Sequence, residues 1–543
     1  MFNPGNIAST LTITAERLPN QTAIALSAEP GGQLSFQELD RLSDRLARGL
    51  VKRGVTPGTR IVLMVRPGIE FIALTYALFR AGAVVVLIDP GMGPKNVFAC
   101  LDQIEPQGFV AIPIVQAMRV ANAWRFRAAR HNVTLGTRWF WGGATYNELM
   151  QDDTAAHVAL PDATRSTDPA AIIFTSGSTG PAKGVLYEHG MFAAQVEALR
   201  DFYHIEPGGV DLPGFPLFAL FNAAMGVTTV VPDMDPTRPA QVDPERIVAA
   251  VQRFHVTQGF GSPAIWERVG RYCVANHITL PTVRRVFSAG APVPIDLLQT
   301  MRQVLIGDDA LVLTPYGATE ALPICSIASQ EVLSRTAAKT RQGAGTCVGR
   351  PFPVVRLKII DIIDEPIESM REARELPAGQ IGEIIVQGPM VTRAYFRQPK
   401  ATALAKIVDE DQFWHRMGDV GYLDDEGVLW YCGRKGHRVE TPQGRLFTDC
   451  VEPIFSAHLG GERCALVGVG RPPNQVPILV LEQVEKGVIH QINDLHRIAE
   501  SHETTRPITQ FLFFPESLPV DVRHNIKINR EELAVWAAQQ LKL

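Results

Sequence analysis

Apolar residues Phe36, Leu39, Leu42, Leu46 and Leu50 recur at the spacing of one helix face, behind a serine suited to cap it, so the pattern predicts a helix over 35–51. A short run of β-branched and other apolar residues over 60–65 predicts a strand, 70–79 a second helix, and 83–88 a fully buried strand closed by Asp89-Pro90. The pairing recurs at 247–254 with 258–260 and at 295–304 with 311–314. Helices alternating with strands predict α/β layers around largely parallel sheets. After about residue 350 the pattern changes: "VVRLKIID", "GEIIVQG", "GVLWYCG" and "GRLFTD" read as short antiparallel strands separated by Gly, Pro and acidic turns. Strands at 464–469 and 478–482, a helix near 489–502 and an exposed-looking tail over 518–534 complete the chain. The expected fold class is therefore α/β and α+β. A large N-terminal domain over 1–432 holds layered α/β subdomains and a β-rich subdomain, and a small α+β C-terminal domain covers 433–543.

Length supports that division, because 543 residues exceed what one compact core accommodates. A formal net charge of −4 gives no basic stripe, so no nucleic-acid partner is expected. The seven cysteines are scattered, odd in number and without a CxxC pair, which fits a reducing compartment and a cytoplasmic location. Residues 212–232, "LPGFPLFALFNAAMGVTTVVP", form the longest uncharged stretch. Its prolines, glycines and Asn222 favour buried structure over a transmembrane segment, so none is expected.

Chemistry first appears in "IIFTSGSTGPAKGVLYEHG", residues 172–190. Thr175, Ser176, Ser178 and Thr179 supply hydroxyls, Gly177, Gly180 and Gly184 permit close backbone approach, and Lys183 supplies one charge. Together they suit phosphate oxygens. The GxxxxGK[ST] spacing is absent, and the lysine leads into a strand rather than a helix, so this is not a Walker A loop.

"TSGSTGPAKG" resembles the signature loop of the adenylate-forming superfamily of acyl-CoA synthetases, luciferases and peptide-synthetase adenylation domains. Four further segments agree in order: "SAGAP" (288–292), "YGATE" (316–320), "WHRMGDVGYLDDEGVLWYCGR" (414–434) and "IKINR" (526–530). The resemblance implies ATP and Mg2+ as cofactors. It implies that Gly290, Ala291, Pro292, Tyr316, Gly317 and Thr319 surround the adenine, and that Asp419 and Arg434 hold the ribose. Thr175 through Gly180 with Lys183 would hold the phosphates, Glu320 the metal, and Lys527 would be the catalytic cation between carboxylate and α-phosphate. Each role suits its residue: an aromatic face stacks on a purine, a carboxylate accepts two hydroxyls, and a cation offsets repulsion between carboxylate and polyphosphate.

Departures from the superfamily pattern narrow the reading. The hinge aspartate is Gly436, the following lysine is Glu440, and Asn525-Ile526 replaces the Ser-Gly before Lys527. "GRKGHRVET" with "VDVRHNIKINR" resembles the olefin β-lactone synthetase branch. That implies a long-chain 2-alkyl-3-hydroxyalkanoic acid as substrate, closed to a β-lactone by its own 3-hydroxyl, with other enzymes of an olefin pathway as partners. A long-chain acyl-CoA synthetase or fatty-acyl-AMP ligase is the alternative. Phe215, Leu217, Phe218, Phe260 and Gly261 are the candidate lining of an alkyl pocket, and the base for lactone closure stays open among His189, His437 and His524.

Overall fold

The computed structural model of the protein describes residues 5–29, 31–161, 164–175, 181–215, 218–459, 463–482, 492–520 and 528–542. Two sheets dominate. In the first, seven strands run in the spatial order Ala144–Thr145, His131–Thr134, Gly108–Ala111, Arg60–Met64, Val84–Leu87, Pro169–Phe174 and Gly184–Glu188. Every neighbouring pair is parallel except the last, which is antiparallel. The second has 14 strands and two characters. Thr22–Leu26, Thr228–Val231, Val210–Pro213, Gln258–Gly261, Arg285–Ser288 and Leu311–Ala318 are parallel neighbours. Beyond them Ala321–Ala328, Thr346–Pro351, Leu429–Arg434, Gln412–Leu423, Gly382–Gln387 and Arg356–Ile360 continue antiparallel. The change of pattern read near residue 350 is thus a change within one sheet.

Local chemistry explains the elements that set this frame. Helix Phe36–Lys52 begins at a reciprocal capping box, the Ser35 hydroxyl accepting from Glu38 N–H while Glu38 accepts from Ser35 N–H. It buries Phe36, Leu39, Leu46 and Leu50. Helix Ile69–Arg80 is buried along most of its length, joining the same core. The uncharged stretch 212–232 divides into strand ends and the eight-residue helix Phe218–Met225. Among the described residues no helix is long and apolar enough to cross a membrane.

After Arg434 the chain leaves the large sheet. The hairpin Val439–Thr441 with Gly444–Leu446, and a mixed sheet of Cys464–Val469, Val476–Glu482 and Gln510–Phe514, belong to a small C-terminal α/β domain. Two of its apolar clusters use residues from Val439 onward, while Phe447 and Cys450 pack with Val420 and Cys432 of the large sheet. Part of the tail's described residues is buried. Leu518, Leu533 and Ala537 are buried against Val467 and Ile478, because helix Arg530–Leu541 packs on strand Cys464–Val469. One apolar stripe hidden between charged neighbours is enough to seat it.

Candidate active site

Parallel strands place their following loops on one edge, and ligands of such sheets bind outside the carboxyl ends. Register shows which segments share that edge in the large sheet. Pro213 pairs with Phe260, Gly261 with Ser288, and Phe287 with Leu313. Phe215, Phe260, Gly261, Gly290, Ala291, Pro292, Tyr316 and Gly317 therefore come together although up to a hundred residues separate them. Gly290 has φ +91°, a left-handed conformation that glycine adopts without strain. A Cβ on Gly317 would lie 2.8 Å from the Ala321 carbonyl, so the turn to strand Ala321–Ala328 needs glycine there. A Cβ on Gly261 would lie 2.9 Å from Trp266 Nε1, which donates to the Phe287 carbonyl. Among the described residues the Ser262 and Ser288 hydroxyls on this edge are buried without a hydrogen-bond partner, and such groups call for an explanation.

Asp419 anchors the first half of the site. It is 3 % exposed, and its Oδ2 accepts from the Tyr316 hydroxyl at 2.6 Å. Its Oδ1 lies 3.0 Å from Arg434 Nη1 as an ion contact without hydrogen-bond alignment, leaving that oxygen unsatisfied. Adjacent strands hold the pair, Asp419 and Arg434 being register partners. Burial pushes the Asp419 carboxyl up, against the opposing pull of Arg434 and the Tyr316 hydroxyl. An aromatic ring, two close-approach glycines and a buried oxygen short of donors fit a nucleoside whose ribose supplies hydroxyls.

Glu320 anchors the second half, in the turn between Leu311–Ala318 and Ala321–Ala328. Its carbonyl accepts from Thr392 N–H and Oγ1 at 2.9 and 3.0 Å, and its Oε1 accepts from the Tyr395 hydroxyl at 2.6 Å. Lys183 Nζ lies 5.0 Å from the centre of the Tyr395 ring. Lys406 donates to the Thr392 carbonyl; burial lowers its ammonium to about 7, with Glu320 pulling the other way. His415 is pushed well below the usual imidazole range, by burial first and then by Lys406. Thr175 and Lys183 pair at the base of the segment expected to cradle phosphate. Thr175 N–H donates to the Lys183 carbonyl, and Lys183 N–H donates to Thr175 Oγ1, each at 3.1 Å. Ser176, Gly177, Ser178, Thr179 and Gly180 lie outside the described residues, as do Leu217, His524 and Lys527. Thr319 offers its carbonyl to the Tyr187 hydroxyl at 2.5 Å.

Among the described residues no cluster of three or more His, Cys, Asp or Glu could hold a metal by itself. A single carboxylate beside two cations instead fits Mg2+ carried by polyphosphate, since Mg2+ keeps most of its ligands from phosphate and water.

The junction with the small domain is fastened by charge. Lys435 Nζ donates to the Ile363 carbonyl at 3.0 Å and lies 3.1 Å from Glu383, which also takes Arg416 at 2.6 Å. Arg438 pairs with Asp364 and Glu440. At the tail, Arg530 takes both oxygens of Glu452 at 2.6 and 3.0 Å. His189 lies in the core with Nδ1 accepting from Ile7 N–H, burial lowering it to about 4. His437 is lowered to about 4 as well, by burial and then by Arg530 and Arg434.

The candidate alkyl lining is divided. Phe260 is half-buried against the main core, while Phe218 opens the helix Phe218–Met225. Beside Gly214 lies a small apolar cleft of about 20 Å³, lined by Phe71, Ile72, Pro213, Val231 and Met234 among others. Sequence reasoning missed this wall. It also missed Tyr395, Thr392, Lys406 and His415, whose contacts with the motif residues are long-range and leave no local spacing to read.

The fold and this edge define an adenylate-forming enzyme. The model of the AMP-binding enzyme family matches residues 11–396, and the chain belongs to that family. It is 46% identical to the olefin beta-lactone synthetase of Xanthomonas campestris pv. campestris, over 98% of both chains. The olefin beta-lactone synthetase of Stenotrophomonas maltophilia is likewise 46% identical, over the full length of both. The solved O-succinylbenzoate coenzyme A synthetase of Bacillus subtilis with ATP and magnesium ion shares the fold, with a TM-score of 0.75 at 20% identity over 96% of this chain and 98% of that one.

Proposed function

We propose that the protein activates a long-chain 2-alkyl-3-hydroxyalkanoic acid with ATP and closes it to a β-lactone. The identity of 46% with two olefin beta-lactone synthetases over essentially the whole chain carries this reading. In the first step the acid's carboxylate oxygen bonds to the α-phosphorus and pyrophosphate leaves. The 3-hydroxyl oxygen then bonds to the activated carbonyl carbon, the bond from that carbon to AMP breaks, and the hydroxyl proton is released to solvent. The acceptor is tethered to the carbonyl it attacks, so its effective concentration is high and no external thiol is needed.

The protein's part is positioning and charge. Asp419 accepts the ribose hydroxyls, and Tyr316 and the Gly290–Pro292 segment border the base. Lys183 holds the pyrophosphate end together with Thr175 and the loop that follows. Glu320, steadied by the Tyr395 hydroxyl, would hold Mg2+, which when bound offsets the polyphosphate charge. Lys527 offsets the repulsion between acid and α-phosphate. The division of labour puts the nucleotide and acid sites in 1–432 and Lys527 in the small domain 433–543. The reading extends to a cytoplasmic enzyme working beside others that supply the hydroxy acid and consume the lactone.

The test offers the purified protein a 2-alkyl-3-hydroxy acid with ATP, with and without coenzyme A, and identifies products by mass. Lactone and AMP in both tubes are expected. Thioester formed only with coenzyme A, and no lactone in either tube, would assign the chain to acyl-CoA synthesis instead.

A further inference from the structure

Glu320 is gripped twice from one short segment. Thr392 N–H and Oγ1 donate to its backbone carbonyl, and the Tyr395 hydroxyl donates to its Oε1. The helix Pro399–Ala405, which follows that segment, holds it in place. Thr402 Oγ1 accepts from Tyr395 N–H at 3.1 Å. Lys406, the residue that ends the helix, donates from Nζ to the Thr392 carbonyl. Each grip on Glu320 thus has its own tie to one helix.

Lys406 is attached on its other side as well. It opens strand Lys406–Asp409, which pairs antiparallel with Gln412–Leu423, and its register partner there is His415. Asp419 lies further along that same strand. The His415 ring is buried, and its Nδ1 donates to the Ala405 carbonyl at 3.1 Å, fastening the helix end to the strand. Lys406 therefore reaches from the strand of the first half of the site to the turn of the second. Its ammonium is not spent on an ion pair: among the described residues no carboxylate pairs with it. The Phe413 ring lies 5.2 Å away, and Glu320 is the acid whose field reaches it. Taking an ammonium out of water without a paired carboxylate is costly, so a donor kept there to hold one carbonyl calls for a function.

We infer that Lys406 is a positioning residue for the second half of the site: it fixes the Thr392 carbonyl, and through Thr392 the turn that presents Glu320. The role rests on the reading of Glu320 as the residue that would hold Mg2+. The sign of the effect separates position from charge. Removing a cation near Glu320 would, by charge alone, let the carboxylate take a divalent ion more tightly. Losing the tie to Thr392 would make it take one less tightly, as loss of a group that orients a ligand does.

Calorimetry on the full-length protein, without acid substrate, gives the dissociation constant of ATP with Mg2+ and with EDTA. Their ratio is the factor by which Mg2+ tightens ATP binding. Lys406→Met keeps the length of the side chain and removes its donors, and should lower that factor about fivefold, the worth of one ordinary hydrogen bond. The constant in EDTA should stay within about twofold, and the melting temperature should hold or rise because an unpaired charge is gone. Thr392→Val removes the Oγ1 link and should also lower the factor. Combined with Lys406→Met it should add less than its full effect, since both lie on one path. A factor unchanged or raised, or full additivity of the two variants, overturns the proposal. So does a loss confined to the EDTA constant, which would make Lys406 a direct phosphate ligand, or a fall of both affinities together with the melting temperature. Glu320→Gln is measured alongside. If it leaves the factor alone, the metal reading of Glu320 fails and this role with it; if it lowers the factor and Lys406→Met does not, only the role of Lys406 fails.

Discussion

Glu383 and Asp419 are buried carboxylates on neighbouring strands, Glu383 pairing in register with Val420, and their surroundings differ in kind. Glu383 takes Arg416 through both oxygens and Lys435 besides, and Arg416 spends its other donors on the carbonyls of Ile363, Leu404 and Glu365. Asp419 has one hydrogen bond, through Oδ2, and among the described residues its Oδ1 has only the misaligned ion contact with Arg434. A closed network of charges fixes where the segment before the small domain attaches. An open one leaves capacity for an incoming donor. The difference teaches where to look for function: in a folded interior the informative carboxylate is the one whose partners run out.

Breaking the closed network gives the largest effect. Glu383→Leu strands Arg416 and Lys435 and should cost about 4 kcal/mol of stability in denaturant titration. Nucleotide affinity, measured calorimetrically where the variant is folded, should stay within about twofold. A large loss of affinity with little loss of stability would erase the distinction between the two centres.

Asp211 sharpens it. This acid also has an unsatisfied Oδ1, but its hydrogen-bond partners are neutral: Asn222 at 2.7 Å and Gln258. Burial pushes it up to about 7 from the model-peptide value of 3.8. A raised carboxyl keeps its proton in the native state where the unfolded chain has lost it, so its contribution falls as pH rises from about 4 to about 7. Asp211→Asn, neutral throughout, should match the parent near pH 4 and exceed it by on the order of 3 kcal/mol near pH 8. ATP affinity should not change. Equal pH profiles for the two proteins would mean that Asp211 is ionised at little cost.

Asp419→Asn tests the open centre itself. It keeps the volume and removes the charge that the ribose and Arg434 would share, so ATP affinity should fall about 30-fold, the loss of about 2 kcal/mol expected for a charge-assisted hydrogen bond. Stability near pH 7 should hold or rise slightly, because an imperfectly paired buried carboxylate is gone. Unaltered affinity would remove Asp419 from the nucleotide site.

Much of this frame was legible beforehand, and the limits have a physical pattern. Helix Phe36–Lys52 follows from a cap and a spacing, both local. Tyr316, Glu320, Asp419 and Arg434 were legible as motif residues, and the sheet brings them to one edge. Arg416 went unread although it lies three residues from Asp419, because its partner Glu383 is 33 positions away and nothing local announces it. Tyr395 is 75 positions from Glu320. The tail over 518–534 read as exposed because charge dominates its composition, while among its described residues Leu518 and Leu533 are buried.

Tyr395 yields the finest test of an open centre against a closed one. Its hydroxyl reaches Glu320 at 2.6 Å while Lys183 lies over its ring, so one side chain steadies both the carboxylate and the loop lysine. Tyr395→Phe keeps the ring and removes only the donor. Glu320 should then hold its ligand in a less fixed orientation, and half-saturation by Mg2+ in the adenylation assay should rise about threefold to fivefold, under 1 kcal/mol. The Michaelis constant for ATP at saturating Mg2+ should stay within about twofold, since the ring beneath Lys183 remains. Tyr395→Leu should lose both properties and raise the two constants together. If Tyr395→Phe instead shifts the ATP constant and leaves the metal requirement alone, the hydroxyl serves the phosphate loop rather than Glu320, and the two halves of the edge are less separate than their hydrogen bonds indicate.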